Sequence, residues 1–101
     1  MATNVLQALP GFSVIDNAEA LQTATMTLEP GETSGPKSNE HPHSEQMLYV
    51  VEGSVKAEIA DRTLTMEAGD SVIVRRGEPH RFSNAGSTRA LTLNVYSPPF
   101  Y

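Results

Sequence analysis

Polar and apolar residues alternate along short stretches of this chain, and the alternation has a period of two. In the stretch TATMTLEPG, the apolar residues Ala24, Met26 and Leu28 lie on one side of an extended backbone, and threonines lie on the other. Successive side chains of a strand point to opposite faces, so this pattern predicts a β-strand with one buried face.

The same alternation returns in residues 47–66, MLYVVEGSVKAEIADRTLTM. Turns at Glu52-Gly53 and Asp61-Arg62 divide this segment into three predicted strands. The stretches DSVIVRRGEPHRF and TRALTLNVY predict further strands, whereas the best helical candidate is a short turn around DNAEAL near the N-terminus. Several short strands with Gly, Pro and Asp in the turns between them favour an all-β sandwich or barrel, which protects its edges by closing on itself.

Composition and charge narrow the class of protein. The chain has 101 residues, 39% of them hydrophobic, and no cysteine, so we expect one domain that is stabilised by apolar burial without disulfides. The net charge of −5 argues against a nucleic-acid partner, because such partners are bound by clustered Lys and Arg. No run approaches the roughly 20 apolar residues of a membrane span, and the start of the chain lacks the pattern of a signal peptide. We therefore expect a cytoplasmic protein whose partner is a small molecule.

Two of the three histidines lie in the segment NEHPHSEQ, residues 39–46. In an extended conformation Asn39, His41 and His43 face the same side, and Pro42 favours that conformation for the residue before it. Two neighbouring imidazoles form part of a ligand shell for a transition metal. An isolated pair of this kind is more often exposed to solvent, so the rest of the chain must support a metal site.

A second motif surrounds the third histidine. Gly69 is followed by five residues, then Arg75, one residue, Gly77, two residues, His80, three residues and Asn84. This spacing resembles the second motif of the cupins, which are small double-stranded β-helix barrels. The family has a proline at the position of Arg75, and the other identities and all the gaps fit.

The resemblance implies a cupin or jelly-roll barrel with little helix. It divides one domain, 1–101, into a lead-in of residues 1–20, a barrel of about residues 20–96 and an apolar tail of residues 97–101. The final stretch NVYSPPFY places aromatic side chains beside a Pro-Pro pair, and we expect it to cover an open end of its own barrel or a partner's. A small barrel with exposed strands gains from pairing an edge or a sheet face, so a homodimer is expected.

The first cupin motif fits NEHPHSEQ in two registers. That motif is a glycine, five residues, His-x-His, three or four residues, Glu, six residues and Gly. With His41 and His43 as the pair, the gap to Gln46 is one residue short. With Asn39 and His41 as the pair, both later gaps fit, but an amide replaces the first imidazole. Both registers use His41 and place Gln46 at the position of the family's glutamate.

The resemblance therefore implies a metal site formed by His41, His43, Gln46 and His80. His43 ranks after the other three because its place depends on the register, and Glu45 is an alternative to Gln46 if the loop shifts by one residue. An amide in place of a carboxylate leaves the ligand shell neutral, which is expected to weaken metal retention. The implied cofactor is one divalent transition metal ion, namely Fe, Mn, Ni or Zn.

The resemblance also bounds the function. Cupins include dioxygenases, isomerases and decarboxylases, so it implies a mononuclear metalloenzyme, dioxygenase-like or isomerase-like, that acts on a small molecule. Glu45 and Tyr49 are the sequence's candidates for a general acid or base. The alternative is a non-catalytic module that binds or senses a small ligand, because so short a chain leaves little room for substrate-positioning loops. The fold alone does not decide between them.

Overall fold

The computed structural model describes residues 2–39 and 42–101, and β-strands dominate them. The strands are β1 (Gly11–Asn17), β2 (Gln22–Leu28), β3 (Glu45–Glu52), β4 (Ser54–Ile59), β5 (Arg62–Glu67), β6 (Ser71–Val74), β7 (His80–Ser83) and β8 (Ala90–Ser97). A 3-10 helix, Val5–Gln7, precedes them, and the Asn4 side chain caps it by accepting a hydrogen bond from the Leu6 N–H. Across the described ranges, no helix is long and apolar enough to cross a membrane.

The strands form two antiparallel sheets with a shared hydrophobic core. The larger sheet has five strands in the order β1-β2-β8-β3-β6, and the smaller has three in the order β5-β4-β7. Side chains from both sheets make up the core: Met26, Leu28, Leu48, Val50, Val55, Ala57, Ile59, Met66, Val74, Phe82 and Ala90. This architecture confirms the predicted all-β fold with little helix.

Strand β2 shows why the alternating pattern folds as it does. Met26 and Leu28 are buried on the inner face, as the period of two predicted. Thr25 and Thr27 on the other face are buried as well, because β2 is an internal strand between β1 and β8. The Gly11 N–H donates to Thr27 Oγ1 at 2.7 Å, which ties the start of β1 across this face.

The five-stranded sheet begins earlier than the sequence indicated. Residues 1–20 were expected to be a lead-in, but β1 starts at Gly11 and pairs antiparallel with β2. The missed strand is an edge strand whose side chains are mostly exposed, and the adjacent apolar residues Val14 and Ile15 interrupt its alternation where its register with β2 shifts. The DNAEAL stretch contains the end of β1 and the turn into β2, where the Ala18 N–H donates to the Leu21 carbonyl at 2.7 Å.

The turns of the smaller sheet lie close to their predicted positions. The β4–β5 connection consists of Ala60 and Asp61, one residue before the predicted Asp61-Arg62 turn. Gly53 connects β3 to β4, as predicted, with φ +79°. A Cβ atom at this position would lie 2.6 Å from the Arg89 carbonyl oxygen, so both the backbone conformation and the neighbouring loop require glycine.

The substitution Gly53→Ala is expected to lower the free energy of unfolding by about 2–3 kcal/mol, because it adds a clash to the strain of a left-handed φ. Gly69→Ala is the matched control, since Gly69 has φ +97° but nothing within 4 Å of the added carbon. The control is expected to lose about 1–2 kcal/mol from backbone strain alone. Urea denaturation measures both variants, and equal losses would contradict the clash at Gly53.

The outer face of the five-stranded sheet carries exposed apolar side chains. Tyr49 on β3 is 37% exposed and Ile73 on the neighbouring strand β6 is 44% exposed. Such a face suits contact with another protein surface. The expected homodimer stays a prediction.

Candidate functional site

A cavity of about 350 Å³ is lined by strands of both sheets. This volume lies at the small end of the range for sites that hold small molecules. Aromatic rings, amides and hydroxyl groups share the wall with the third histidine of the chain. The lining residues are Gly11, Phe12, Met26, Thr27, Leu28, Glu32, Thr33, Ser34, Gln46, His80, Phe82, Asn94, Tyr96 and Tyr101.

His80 is the first residue of β7 and is only 8% exposed. Its Nδ1 atom lies 3.0 Å from the carbonyl oxygen of Glu78. A carbonyl can only accept, so Nδ1 carries the hydrogen of this hydrogen bond. A histidine oriented in this way by a backbone carbonyl has the usual arrangement of a metal ligand.

A loop segment lies along β7 and fixes the position of this histidine. Ser38 and His80 exchange two backbone hydrogen bonds, of 3.1 and 3.3 Å, and Thr33 and Ser83 form a second isolated bridge. The Ser34 Oγ atom also accepts a hydrogen bond from the Phe82 N–H at 2.9 Å. The chain between β2 and β3 is therefore held beside β7 as it approaches the NEHPHSEQ segment.

Gln46 reaches the same cavity from the opposite sheet. It is the second residue of β3, is 2% exposed, and has Tyr96 of β8 as its cross-strand neighbour. The side chains of Gln46 and His80 thus come from different sheets and line one space. Only the tertiary fold brings Gln46 and His80 together, because their strands, β3 and β7, are not hydrogen-bonded neighbours.

The remaining candidates of the first motif have different environments. His41 lies outside the described residues. His43 and Asn39 are exposed and do not line the cavity, and the His43 carbonyl accepts a hydrogen bond from Arg76 Nε at 3.1 Å. Within residues 2–39 and 42–101, no group of three or more His, Cys, Asp or Glu side chains is arranged to hold a metal ion. Of the four predicted ligands, the structure brings Gln46 and His80 together.

The sequence's candidates for a general acid or base lie away from the cavity. Glu45 and Tyr49 are both exposed, on the face of β3 opposite the buried residues Leu48 and Val50. Neither lines the cavity. Tyr96 lines it instead, and it is 2% exposed.

Tyr96 ends a row of polar side chains on the inner face of β8. The Thr92 hydroxyl donates to Asn94 Oδ1 at 2.8 Å, and Asn94 Nδ2 donates to the Tyr96 hydroxyl oxygen at 3.3 Å. All three residues are buried. Sequence reasoning missed this row, although three polar residues two positions apart in a predicted strand were a signal that they share a face.

The tail closes one side of the cavity with aromatic rings. The centroid of the Tyr101 ring lies 4.6 Å from that of Phe12 and 5.0 Å from that of Tyr96. The buried Gln22 side chain holds this segment, because its Nε2 atom donates to the Tyr101 carbonyl at 2.7 Å and its Oε1 atom accepts from the Phe100 and Tyr101 N–H groups. Tyr101 of the tail therefore forms part of the cavity wall.

Two residues of the second motif have structural partners. Arg81 points away from His80 and Phe82 on β7, and its Nε atom donates to Glu58 Oε2 at 2.8 Å. This hydrogen bond lowers the pKa of the Glu58 carboxyl below its ordinary value.

Asn84 is buried, and its Nδ2 atom donates to the Leu28 carbonyl at 2.9 Å and the Thr88 carbonyl at 2.8 Å. The motif's asparagine therefore anchors the β7–β8 loop to the end of β2.

Known proteins resemble this chain in sequence. A polyketide synthase protein from Streptomyces glaucescens, TcmJ, is 32% identical over 71 residues, which is 70% of this chain and 46% of that protein. The chain spans less than half the length of the curated relatives it matches. This similarity relates the chain to part of a longer protein.

Solved structures resemble the fold over nearly the whole chain. A protein from Bacillus halodurans has a TM-score of 0.89 at 20% identity, over 96% of this chain and 76% of that one. A protein with a double-stranded β-helix domain from Klebsiella pneumoniae has a TM-score of 0.82 at 21% identity, over 96% of this chain and 89% of that one. These likenesses confirm the predicted double-stranded β-helix. The model of the family described as "Cupin domain" matches residues 24–96, which contain both motifs and most of the cavity wall, and the chain therefore belongs to the cupin domain family.

Proposed function

We propose that the chain is a small metal-binding cupin, a mononuclear metalloenzyme of a dioxygenase-like or isomerase-like type that acts on a small molecule in the cavity between its sheets. One observation carries this proposal. Gln46 and His80, which occupy ligand positions of the two cupin motifs, are both buried, and they line the same cavity from opposite sheets. A cavity with two donor side chains of this kind suits a metal and a small ligand together.

The donor set fits a divalent transition metal ion. The Nδ1 atom of His80 donates a hydrogen bond to the Glu78 carbonyl, so Nε2 would be the atom of that imidazole that coordinates the metal. Gln46 would supply its amide oxygen, His41 would supply a second imidazole, and His43 is the fourth candidate. A bound Fe, Mn, Ni or Zn ion would supply Lewis acidity or, for a redox metal, activation of dioxygen.

The chain's own residues bind and enclose the ligand. Phe82 from the smaller sheet and Tyr96 from the larger one present rings to the cavity, and Tyr101 adds a third from the tail. Apolar walls of this kind exclude water and strengthen the polar contacts made inside them. The relationship to a polyketide synthase protein supports a small organic molecule as the ligand.

A second function, a non-catalytic module that binds a small ligand, is favoured by one observation. Glu45 and Tyr49 lie on the outer face of β3, so neither expected acid or base can reach a ligand in the cavity. The ionisable side chains among the described lining residues are Glu32, His80, Tyr96 and Tyr101. A module that only binds a small ligand requires these cavity-lining residues and no general acid or base.

Metal analysis tests the proposed site. Untagged protein, supplied separately with Fe, Mn, Ni and Zn, is expected to retain about one ion per chain of at least one metal, measured by inductively coupled plasma mass spectrometry. The variant His80→Ala removes an imidazole ligand and is expected to retain at least about tenfold less metal. His43→Ala distinguishes the registers, since it lowers retention only if His43 is a ligand.

A metal content near zero in the unmodified protein under all four supplements would overturn the metal site. Oxygen consumption and product formation with phenols and diketones then separate enzyme from binder. Turnover that is lost in His80→Ala supports the metalloenzyme. Thermal stabilisation by the same compounds without turnover supports the binding module.

A further inference from the structure

The side chains that line the cavity differ in their exposure to solvent. Most of them are buried, and His80, at 8%, is the most exposed of the buried ones. The other lining residues are exposed, and they form the mouth of the cavity: Gly11, Phe12, Glu32, Thr33, Ser34 and Tyr101. The mouth is therefore where a ligand in the cavity meets solvent.

The mouth has a polar side and an aromatic side. Glu32, Thr33 and Ser34 lie on the segment beside β7, whereas Phe12 is on β1 and Tyr101 is in the tail. The ring centroids of Phe12 and Tyr101 lie 4.6 Å apart, and the two residues are 42% and 47% exposed. Two packed rings are thus open to solvent on one side of the mouth.

The aromatic surface continues outside the cavity. Phe100 does not line the cavity, but it is 44% exposed and its ring centroid lies 5.1 Å from that of Tyr101. The Phe100 N–H donates to Gln22 Oε1 at 3.2 Å, which holds the backbone that carries this ring. Together, Phe12, Phe100 and Tyr101 form an aromatic lip that leads from the cavity to the outer surface.

The size of the aromatic lip favours a small ligand over a protein as its occupant. A fully covered aromatic side chain buries about 150–250 Å², so three that are nearly half exposed offer on the order of 300 Å². A stable protein interface buries about 800 Å² on each partner. The lip also continues the wall of a cavity whose volume, about 350 Å³, is small for a ligand site. A ligand that is too long for the cavity finds its next apolar contacts on this lip.

We propose that the ligand of this cavity carries a long acyl or alkyl chain, which leaves the cavity over the aromatic lip. The polar end of the ligand lies inside, where His80 and Gln46 line the cavity. Phe100 selects long ligands over short ones, because only a chain that has left the cavity reaches its ring. The inference rests on the proposed function in one respect, since it names the ligand class of the same cavity.

Isothermal titration calorimetry with two series of probes tests the apolar chain. Straight-chain hydroxamic acids, from acetohydroxamic to decanohydroxamic acid, have a head group that chelates divalent metal ions. The primary amides with the same chains lack this chelating group. In both series each added CH₂ group is expected to raise the affinity about two- to fourfold, up to the longest members. An affinity that stops rising once the cavity is filled, or no binding of the long members, would overturn the proposal.

The variant Phe100→Ala tests the lip itself. It removes the ring but keeps the backbone hydrogen bond to Gln22, and it is expected to bind the decanoyl probes about fivefold more weakly. The acetyl and butanoyl probes are expected to bind as they do to the unmodified protein. Equal weakening of short and long probes would show that Phe100 acts through the position of Tyr101, and the selection of long ligands by the lip would be wrong.

Leu64→Ala is the matched control for this variant. Leu64 is also exposed, at 37%, but it lies on β5 and does not line the cavity. Its removal is expected to change the affinity for no probe, and thermal melts verify that both variants are folded. A loss of long-probe affinity in Leu64→Ala as large as that in Phe100→Ala would contradict a specific role for the lip.

A second copy of the chain is the competing occupant of the aromatic lip. Sedimentation velocity compares the oligomeric state of the unmodified protein with that of Phe100→Ala. The same state in both, together with the selective loss for long probes, supports the ligand chain. A dimer that dissociates in Phe100→Ala would assign the lip to a protein interface and overturn the proposal.

The metal site and the apolar chain fail separately. If hydroxamic acids and amides bind alike but both gain affinity with chain length, the apolar chain is supported and the metal site is overturned. If hydroxamic acids bind more tightly than amides at every length and neither series depends on Phe100, the reverse holds.

Discussion

Replacing Gln46 with glutamate is expected to strengthen metal retention about a hundredfold. The substitution exchanges a neutral amide for a carboxylate of nearly the same size, in a buried side chain that shares the cavity with His80. A carboxylate at this position carries a negative charge that attracts a divalent cation, whereas the amide of Gln46 carries none. Burial of the carboxylate offsets part of this attraction, and the expected hundredfold change corresponds to about 2.7 kcal/mol.

Competition with a metal chelator measures this change. Zn²⁺ affinity is compared between the unmodified protein and the variant Gln46→Glu, and the thermal melt is recorded with and without the ion. Without metal, the variant is expected to be less stable, because an uncompensated carboxylate is buried. With metal, it is expected to gain more stability than the unmodified protein does, because binding to the folded state stabilises it.

The control is Glu45→Gln, which makes the opposite exchange at the neighbouring position. Glu45 is exposed and points away from the cavity, so this variant is expected to retain metal as the unmodified protein does. Weaker retention in Glu45→Gln would make Glu45 the ligand. Unchanged retention in Gln46→Glu would remove Gln46 from the metal site.

The parts of the fold that follow from local patterns were predictable. Met26 and Leu28 alternate with threonines, and this period of two located a strand and its inner face, although it did not predict that Thr25 and Thr27 are buried as well. Gly53 could be assigned to a turn because a left-handed backbone favours glycine. The second motif located His80, whose position depends on a strand start and on local backbone contacts.

The direction of the side chains on β3 and β8 was less predictable. The sequence MLYVV has apolar residues on both faces, so alternation cannot say whether Tyr49 or its neighbours point inward. Strand pairing decides this, because the register places Gln46 beside Tyr96 and leaves Tyr49 on the outer face beside Leu93. Contacts between distant strands therefore place Tyr96 at the cavity and Tyr49 on the outer face.

The contact between Gln22 and the tail also joins distant parts of the chain. The Gln22 side chain bonds to Tyr101, which lies 79 residues away, and no local pattern predicts such a partner. In the sequence, Gln22 reads as an ordinary polar residue at the start of a strand. In the structure it is fully buried. Its role depends on the completed fold, because β2 and the end of β8 must first be adjacent.

Gln22→Ala is expected to lower the free energy of unfolding by about 3–5 kcal/mol, because a fully buried side chain loses four hydrogen bonds worth about 1 kcal/mol each. The side chain donates to Asn17 Oδ1 and the Tyr101 carbonyl, and it accepts from the N–H groups of Phe100 and Tyr101. Urea denaturation measures the loss. The exposed Gln7 provides the matched control, since Gln7→Ala removes the same side chain and is expected to change stability by less than about 0.5 kcal/mol.

The same substitution should act on the cavity, because the tail carries the Tyr101 ring that lines it. A second tether, from Ser44 Oγ to the Pro98 carbonyl at 2.6 Å, remains in Gln22→Ala, so the tail loosens at its far end rather than along its whole length. Affinity for any phenol or diketone that stabilises the unmodified protein is therefore expected to fall by about tenfold in this variant, through loss of an ordered aromatic wall. Ser44→Ala removes only one hydrogen bond and is expected to cost about 1 kcal/mol while leaving the Tyr101 ring in place. If Gln22→Ala were as stable as the unmodified protein, the buried glutamine would not be what holds the tail, and the aromatic wall would need another support.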